Sequence, residues 1–221
     1  MENTVKIISV TEVTHDVRCI RMEKPANYHF RPGQATDVSI NKPGWVSEQR
    51  PFTFTALNDD PYLEFTIKCY PERKGVTNEL RSITTGDELI IRTPWGAIEY
   101  KDEGYFIAGG AGITPFIAIL RQLNKDGRLG KNKLFFSNKT SGDIIYEQEL
   151  FAMLGDNVVF ILTQDSMGKY AHDFIDDIFL ENHVEDFNRN FYLCGPDKMT
   201  ANVSQILISH GSKPDTVIFE K

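Results

Sequence analysis

Residues 105–115 read Tyr-Phe-Ile-Ala-Gly-Gly-Ala-Gly-Ile-Thr-Pro, and this stretch decides the fold of the C-terminal half. A short apolar run breaks into a glycine-rich turn, and the turn leads into a segment with apolar residues at helical spacing. Thr114 is predicted to be the N-cap of that helix and Pro115 its first residue. The stretch therefore predicts a strand, a turn and a helix whose N-terminus points back at the glycines.

The glycine-rich turn is suited to an anion. Unpaired N–H groups and the positive end of the helix dipole gather at a helix N-terminus, and Gly109, Gly110 and Gly112 have no Cβ to keep a phosphate from the backbone. A turn of this kind also occurs where two backbones pack closely. Pro115 moreover takes the place of the third glycine in the dinucleotide fingerprint. Taken alone, the turn leaves diphosphate binding and close packing both open.

The composition limits the classes of protein to consider. The chain has 221 residues, enough for two domains of about 100 residues each. Its net charge is −7 and neither half is basic, which disfavours nucleic acid or an anionic membrane as partner. No segment approaches the ~18 apolar residues of a membrane span, and the N-terminus lacks a signal-peptide pattern, so a cytoplasmic location is expected. The cysteines, Cys19, Cys69 and Cys194, form no C-x-x-C pair, and no metal site is expected.

The two halves of the chain differ in their pattern. Short β-rich runs separated by turn residues predict an antiparallel Greek-key β-barrel, with strands near 5–13, 15–23, 35–40, 51–57, 62–69 and 87–92 and one helix near 77–83. From residue 104 onward, strands alternate with helices, which predicts a three-layer α/β domain with a parallel five-stranded sheet. Its strands are predicted at 105–109, 133–137, 158–163, 190–194 and 216–219, and its helices at 114–124, 146–154, 172–180 and 197–209. We expect the domains to span residues 1–102 and 103–221.

Two motifs in the first half are also suited to phosphate. Arg50-Pro51-Phe52-Thr53 offers a guanidinium for a phosphate, an aromatic ring for a flat heterocycle and a hydroxyl for one hydrogen bond. The alternative is an edge strand with an exposed arginine and with Phe52 and Phe54 in the core. The second motif, at residues 73–80, places a glycine and hydroxyl or amide side chains at a helix start, with two cations just before it. Its alternative is a capped helix with solvated charges.

These motifs, in this order, resemble those of the ferredoxin–NADP reductase superfamily. The similar segments are Arg50–Thr53, Gly75–Asn78, Gly109–Pro115 and Tyr192–Pro196, and Phe30-Arg31-Pro32-Gly33-Gln34 resembles the strand entry F-x-P-G-Q of that family. The resemblance covers almost the whole chain. Each motif is weak alone, and their order and spacing make the resemblance specific.

The resemblance implies FAD as cofactor and NAD(P)H as co-substrate. By this resemblance, Arg50 would hold flavin phosphate, Phe52 would lie against the isoalloxazine ring and Thr53 would form a hydrogen bond near flavin N5. Thr53 and Cys194 are the implied catalytic residues. The implied binding residues are Arg50, Pro51, Phe52 and Thr53 for the flavin; Lys74, Gly75, Val76, Thr77 and Asn78 for the FAD pyrophosphate; Gly109, Gly110, Gly112, Ile113, Thr114 and Pro115 for the coenzyme pyrophosphate; Asn138 and Lys139 for its ribose; and Cys194, Gly195 and Pro196 for the nicotinamide.

The implied function is electron transfer from NAD(P)H through FAD to a separate acceptor such as a ferredoxin, a flavodoxin or an oxygenase component. The alternatives are a reductase of free flavins or small molecules, and a non-catalytic flavin-binding subunit of a larger complex. The choice between NADH and NADPH stays open, because Lys139 suits a 2′-phosphate but no arginine accompanies it. An acidic acceptor would need a basic patch, for which the candidates are Lys68, Arg73, Lys74, Arg81 and Arg92. The histidines at 172, 183 and 210 are expected on the surface without carboxylate partners.

Overall fold

The computed structural model describes residues 2–72, 74–96 and 98–219, which form an all-β half and an α/β half. The first half contains strands β1 (Asn3–Thr14), β2 (Val17–Glu23), β3 (Ala35–Ile40), β4 (Arg50–Thr53), β5 (Tyr62–Lys68) and β6 (Glu88–Ile91), with one short helix, α1 (Val76–Glu79). The second half contains strands β7 (Gly104–Gly109), β8 (Lys133–Asn138), β9 (Val158–Leu162), β10 (Ala171–His172), β11 (Asn190–Cys194) and β12 (Val217–Phe219). Its helices are α2 (Thr114–Lys125), α3 (Glu147–Leu154), α4 (Asp177–His183) and α5 (Asp197–Ser209).

The first half is an antiparallel barrel, as predicted. Its strand order is β4-β3-β6-β1-β2-β5, and a bridge between Phe54 and Phe65 joins the end of β4 to β5. Strand β6 lies between β3 and β1, which gives the Greek-key connection. The interior is apolar and aromatic, with the Phe54 ring stacked 4.2 Å from that of Phe30. Closure of the sheet removes the exposed edges that an open antiparallel sheet would leave.

Strand β5 is buried on both faces. Leu63, Phe65 and Ile67 point into the barrel, whereas Glu64 and Thr66 alternate with them and are also buried. The alternation alone would predict a half-exposed strand. Helices α2 and α3 of the second half cover the outer face, since Glu64 bonds Arg121 and Thr66 bonds Tyr146. The two halves therefore share a buried polar interface.

The second half is a three-layer α/β domain. Its sheet is parallel, with the order β10-β9-β8-β7-β11-β12. Strand β7 sends Phe106 and Ala108 into a core beneath α2 and α3, and Tyr105 and Ile107 into a second core with residues of α4 and α5. The central strands are therefore apolar on both faces, as expected of a parallel sheet between helices.

Three local predictions for this half are wrong. The sheet has six strands rather than five, because Ala171 and His172 pair with Ile161 and Leu162 of β9. The helix predicted at 172–180 begins only at residue 177, where the Asp176 carboxylate accepts a hydrogen bond from the N–H of Phe179 (2.9 Å). A two-residue strand is too short for periodicity to reveal.

The third wrong prediction concerns the start of α2. Thr114 is a helical residue and not the N-cap, because its backbone has φ −58° and ψ −42°. Its hydroxyl donates to the carbonyl of Ala111 (3.1 Å) instead of accepting from the first turn. A single 3₁₀ turn, residues 110–113, comes between β7 and the helix, and Ile113 takes the N-cap position. The strand-turn-helix order predicted for residues 105–115 is otherwise present.

The motif Phe30–Gln34 lies where the halves meet. Gly33 has a φ of +87°, and a Cβ there would stand 2.2 Å from the carbonyl oxygen of Ile98 and 3.2 Å from Ile119 Cδ1 on α2. Glycine is required for this close approach. None of the helices in the described ranges has both the length and the hydrophobicity that a membrane crossing needs.

Candidate active site

The carboxyl edge of the parallel sheet brings several of the predicted residues together. The chain runs outward from β7 through β8 and β9 to β10, and then returns to the other side of β7 as β11. The strand order reverses between β7 and β11, which is where open α/β sheets bind their ligands. Gly109 ends β7, Asn138 ends β8 and Cys194 ends β11. The edge therefore brings together all three predicted coenzyme-binding segments.

The turns after β7 and β11 are packed against each other. A Cβ on Gly112 would lie 2.2 Å from the carbonyl oxygen of Cys194, and the Cβ position of Gly195 (φ +159°) is 3.0 Å from the nitrogen of Gly109. Gly110 differs, because it has a φ of +52° and no heavy atom within 4 Å of its Cβ position. Close packing thus explains Gly112 and Gly195, and Gly110 faces open space.

A cavity of about 760 Å³ opens in front of these turns. Its volume lies in the range of small-molecule sites. Both halves line it: Lys68 and Tyr70 come from the end of β5, and Gly110, Asn138 and Pro196 come from the sheet edge. Sequence reasoning missed Tyr70, Asp143, Gln164 and Phe174, which also line the cavity. Tyr70, Gln164 and Phe174 lie in loops without a motif, whereas Asp143 ends the capping-box pattern Thr140-Ser141-Gly142-Asp143, which is the one local signal that could have found it.

Asn138 is the least satisfied polar side chain of this edge. It is only 5% exposed, and neither its amide nitrogen nor its amide oxygen has a hydrogen-bond partner among the described residues. A buried amide without partners costs about 1–3 kcal/mol, so it calls for a ligand or an ordered water. The adjacent Lys139 is exposed, and Asp143 is engaged by the N–H and hydroxyl of Thr140 at 2.9 and 2.7 Å.

The strand motif on the barrel combines exposed and buried groups. Arg50 and Pro51 are exposed, Phe52 is half-buried and Thr53 is buried. The Arg50 guanidinium donates to the carbonyl of Gln49 (2.6 Å), and it forms no ion pair within the described ranges. The Phe52 ring lies 6.1 Å from that of Phe65, at the margin of the barrel core, so the edge-strand alternative describes only part of the motif.

The second barrel motif forms an open turn. Gly75 has a φ of +155° and nothing within 4 Å of its Cβ position, and its carbonyl accepts from the N–H groups of Asn78 and Glu79. The N–H groups of Val76 and Thr77 have no carbonyl to bond within the helix. Val76 is a core side chain, so only its backbone is available to a ligand. Lys74 is exposed, and Arg73 lies outside the described residues.

The two implied catalytic residues end strands in different halves. Thr53 is the last residue of β4 and Cys194 the last of β11, and both side chains are buried. Two cations of the predicted basic patch already have acidic partners on the barrel, because Lys68 pairs with Asp16 (2.8 Å) and Arg92 pairs with Glu2 (2.9 Å). The patch stays a prediction.

The expectation of histidines without carboxylate partners is wrong for His210. Its Nε2 lies 2.7 Å from Asp177, and Glu181 stands one helical turn further along α4. A second group with metal-ligand geometry is formed by His15, Asp16 and Asp143. All of these side chains are exposed or half-buried, and ion pairs account for both groups.

Family models match both halves of the chain. Residues 4–100 match "Oxidoreductase FAD-binding domain" and residues 106–205 match "Oxidoreductase NAD-binding domain". Together the two models cover most of the chain, in the same order as the motifs of the sequence.

Several curated relatives are reductase components of monooxygenases. The reductase component of propane 2-monooxygenase from Rhodococcus jostii (strain RHA1) is 28% identical over 98% of this chain and 62% of its own length. The glycine betaine monooxygenase reductase subunit from Chromohalobacter salexigens is 28% identical over 95% of this chain and 61% of its own. This chain thus spans about three fifths of the length of both relatives.

A solved structure shares the fold. A ferredoxin NADP⁺ reductase from Neisseria gonorrhoeae, with bound FAD and NADP, matches with a TM-score of 0.83 and 19% identity over 95% of this chain and 92% of that one. At this identity the likeness concerns the fold.

Proposed function

Because this chain belongs to the ferredoxin–NADP reductase superfamily, we propose that it is a flavoprotein reductase that takes a hydride from NAD(P)H and delivers electrons to an oxygenase component on a separate chain. The observation that carries the proposal is the cavity where the strand order reverses. Residues of both halves line this cavity, and one of them is Asn138, whose amide has no partner among the described residues. A reductase of this kind needs such a place, where two cofactors held by different domains can meet.

The residues present fit both cofactors. On the barrel, the Arg50 guanidinium, which has no ion-pair partner among the described residues, and the open Gly75–Asn78 turn suit the phosphates of FAD. Pro51, the half-buried Phe52 and the Thr53 hydroxyl suit its flat ring system. On the α/β half, the open Gly110 suits the coenzyme pyrophosphate. Asn138 and Lys139 suit the coenzyme ribose, and the Cys194–Pro196 turn borders the place for nicotinamide.

FAD supplies the redox chemistry when bound, since it accepts a hydride and releases electrons singly. The chain's own residues bind, orient and exclude water. Arg50 neutralises phosphate charge, Phe52 covers one side of the ring, and Thr53 holds a hydroxyl at the ring edge. Cys194 is a small buried group at the end of β11, directly before the Gly195–Pro196 turn. No general base is required for hydride transfer.

The oxygenase partner is proposed from two of the curated relatives, which are reductase components of monooxygenases. We further propose a boundary between the domains near residue 102 and a cytoplasmic location. The coenzyme, NADH or NADPH, is left for experiment to choose.

The test is anaerobic reduction of the purified, FAD-supplemented protein. We expect NADH or NADPH to bleach the flavin absorbance and ferricyanide, a one-electron acceptor, to restore it. Arg50→Met should weaken FAD binding about tenfold or more, whereas Arg128→Met, an exposed arginine after α2, should leave it unchanged. A protein that takes up no FAD would overturn the proposal.

Two other outcomes would favour the alternatives. A bound flavin that neither coenzyme reduces would indicate a non-catalytic flavin-binding subunit. Release of reduced flavin on every turnover, faster than the reduction of ferricyanide by bound flavin, would indicate a reductase of free flavins.

A further inference from the structure

A polar network, buried on its barrel side and half-buried on its helix side, joins the two halves. We call it the interdomain clamp, and its members are Arg121, Glu149, Glu64, Thr55, Thr66 and Tyr146. Arg121, on α2, lies at its centre. Its guanidinium donates to both carboxylate oxygens of Glu149 on α3 (2.5 and 2.9 Å), to Glu64 on β5 (2.8 Å) and to the carbonyl of Thr55 (2.7 Å). One side chain thus binds helices of one half to strands of the other.

Both oxygens of the buried Glu64 carboxylate are used. Glu64 is 1% exposed; Oε1 accepts from Arg121 and from the Thr55 hydroxyl (2.9 Å), and Oε2 accepts from Arg21 (2.8 Å). A buried charge is tolerated only when its partners are in place. A shift of α2 relative to β5 would leave this carboxylate short of partners, so the network favours one arrangement of the two halves.

The clamp is attached close to the residues proposed to hold the cofactors. Helix α2 begins at Thr114, directly after the glycine turn, and Arg121 lies two turns further along. Thr55 follows Thr53 by two residues, and its N–H bonds the carbonyl of Glu64 (2.9 Å). Helices and paired strands are stiff over such distances. Movement at Arg121 would therefore be passed to both binding segments.

The backbone of Tyr146 is a second observation that supports a specific contact between the two halves. Its backbone has φ 53° and ψ 38°, a left-handed conformation that costs a non-glycine residue about 1–2 kcal/mol. The conformation lets its hydroxyl reach Thr66 on the barrel (3.0 Å) and its ring lie 5.1 Å from the Arg121 guanidinium. Such strain persists only where the surroundings stabilise it.

We infer that Arg121 is a positioning residue, which sets how the coenzyme-binding half faces the flavin-binding barrel. The inference rests on the proposed function. Hydride transfer needs the reacting atoms about 3–3.5 Å apart, and a misplacement of about 1 Å can cost about 100-fold in rate. Arg121 touches neither proposed cofactor site and acts through the position of α2.

The first test compares Arg121→Met with Lys125→Met. Lys125 lies one turn further along α2 and also crosses to the barrel, but its pair with Asp59 (3.1 Å) is solvent-exposed, at 48% and 71%. We expect Arg121→Met to lower the rate constant of flavin reduction at saturating coenzyme about 10–100-fold, with FAD retained and the coenzyme Kd changed less than threefold. Lys125→Met should stay within twofold of the parent. Arg121→Lys, which keeps the charge but loses the bidentate contact, should fall between.

The second test does not depend on activity. Spin labels at Glu48→Cys on the barrel and Asp156→Cys on the α/β half report the distance between the halves, and the three native cysteines are buried. We expect a single narrow distance distribution in the parent and in Lys125→Met, and a broader one in Arg121→Met. The measurement is made on the full chain, with and without added FAD.

Several outcomes would overturn the inference. A parent-like distance distribution in Arg121→Met would do so, and so would a broadened distribution with an unchanged reduction rate. If Arg121→Met does not fold, Glu149→Gln replaces it, and a distribution as narrow as the parent's would count against the clamp. If neither coenzyme reduces the parent protein, the proposed function fails, and the distance measurement still decides whether Arg121 holds the two halves together.

Discussion

Asn138 and Glu64 are both buried polar side chains near the interface between the halves, but their surroundings differ. The Asn138 amide has no partner within the described ranges, whereas Glu64 is held by two guanidiniums and a hydroxyl. Proteins rarely leave a buried polar group unsatisfied without a reason. The comparison indicates that the carboxyl edge of the parallel sheet is suited to a ligand, whereas the clamp stabilises the fold.

The largest effect should follow from removal of Glu64. Glu64→Ala leaves the Arg121 guanidinium without one of its buried partners, and we expect the free energy of unfolding to fall by about 3–5 kcal/mol. Urea unfolding followed by tryptophan fluorescence measures it. Glu185→Ala, which breaks the exposed pair with Lys133, is the control and should leave the unfolding curve unchanged. Equal losses in the two variants would contradict the distinction between the clamp and an ordinary surface pair.

Gly110 and Gly112, in the glycine-rich turn after β7, should respond differently to substitution by alanine. At Gly112 a Cβ meets the Cys194 backbone, so we expect Gly112→Ala to lower stability by about 1–3 kcal/mol and to displace both turns. Gly110→Ala has room, and we expect a cost of about 1–2 kcal/mol from its left-handed backbone, with weaker coenzyme binding. Thermal unfolding and coenzyme titration measure the two effects. Unchanged coenzyme affinity in Gly110→Ala would argue against a phosphate contact there.

Acid should weaken the clamp. Burial alone would raise the pKa of Glu64, but the Arg121 and Arg21 guanidiniums and the Thr55 hydroxyl hold it below its ordinary value. Cys19 and Tyr146 also face this region, and burial raises the pKa of both, so they stay neutral. Because the pKa of Glu64 is lowered on folding, its stabilisation is complete above about pH 4.3 and is lost as the pH falls through the folded value.

The free energy of unfolding is measured by urea unfolding at a series of pH values between about 3 and 7, a range that spans the ordinary pKa values of carboxyl groups. We expect the parent to lose stability on the acid side more steeply than Glu64→Gln. Parallel curves for the two proteins would contradict the assignment of this titration to Glu64.

The smallest effect on stability is expected at Asn138, on the carboxyl edge of the parallel sheet. Asn138→Leu replaces an unsatisfied amide with an apolar group of similar size, and the protein without coenzyme should be unchanged or stabilised by up to about 1 kcal/mol. Coenzyme binding should weaken about tenfold. Calorimetric titration and thermal unfolding measure both quantities. A variant that loses stability but keeps its affinity would show that Asn138 serves the fold.

Much of the fold follows from the order of motifs and from periodicity. The barrel, the parallel sheet and the family were predicted correctly, because runs of alternating or continuous apolar residues report which strand faces are buried. Strand β10 was missed because two residues carry no period. The boundary near residue 102 and the roles of the individual site residues remain predictions.

The clamp could not be predicted from the sequence. Arg121 and Glu64 are 57 residues apart, and each occupies a position where a polar residue on a solvated face would be expected. The glycine-rich motif at residues 109–112 also gave no means of distinguishing the role of Gly110 from that of Gly112. Only the contact with the Cys194 turn separates the glycine that packing requires from the glycine that a ligand could use.

The contact between the turns after β7 and β11 divides the site into a rigid part and an adjustable part. A Cβ on Gly195 would stand only 3.0 Å from the nitrogen of Gly109, so a side chain there would displace the turn after β7. The loops after β8 and β9 are joined by a backbone hydrogen bond, from the N–H of Gln164 to the carbonyl of Lys139 (2.9 Å), and this bond does not depend on which side chains the two residues carry. A change of coenzyme preference, in evolution or in the laboratory, is therefore most accessible through the side chains of Lys139 and Gln164, which line the cavity.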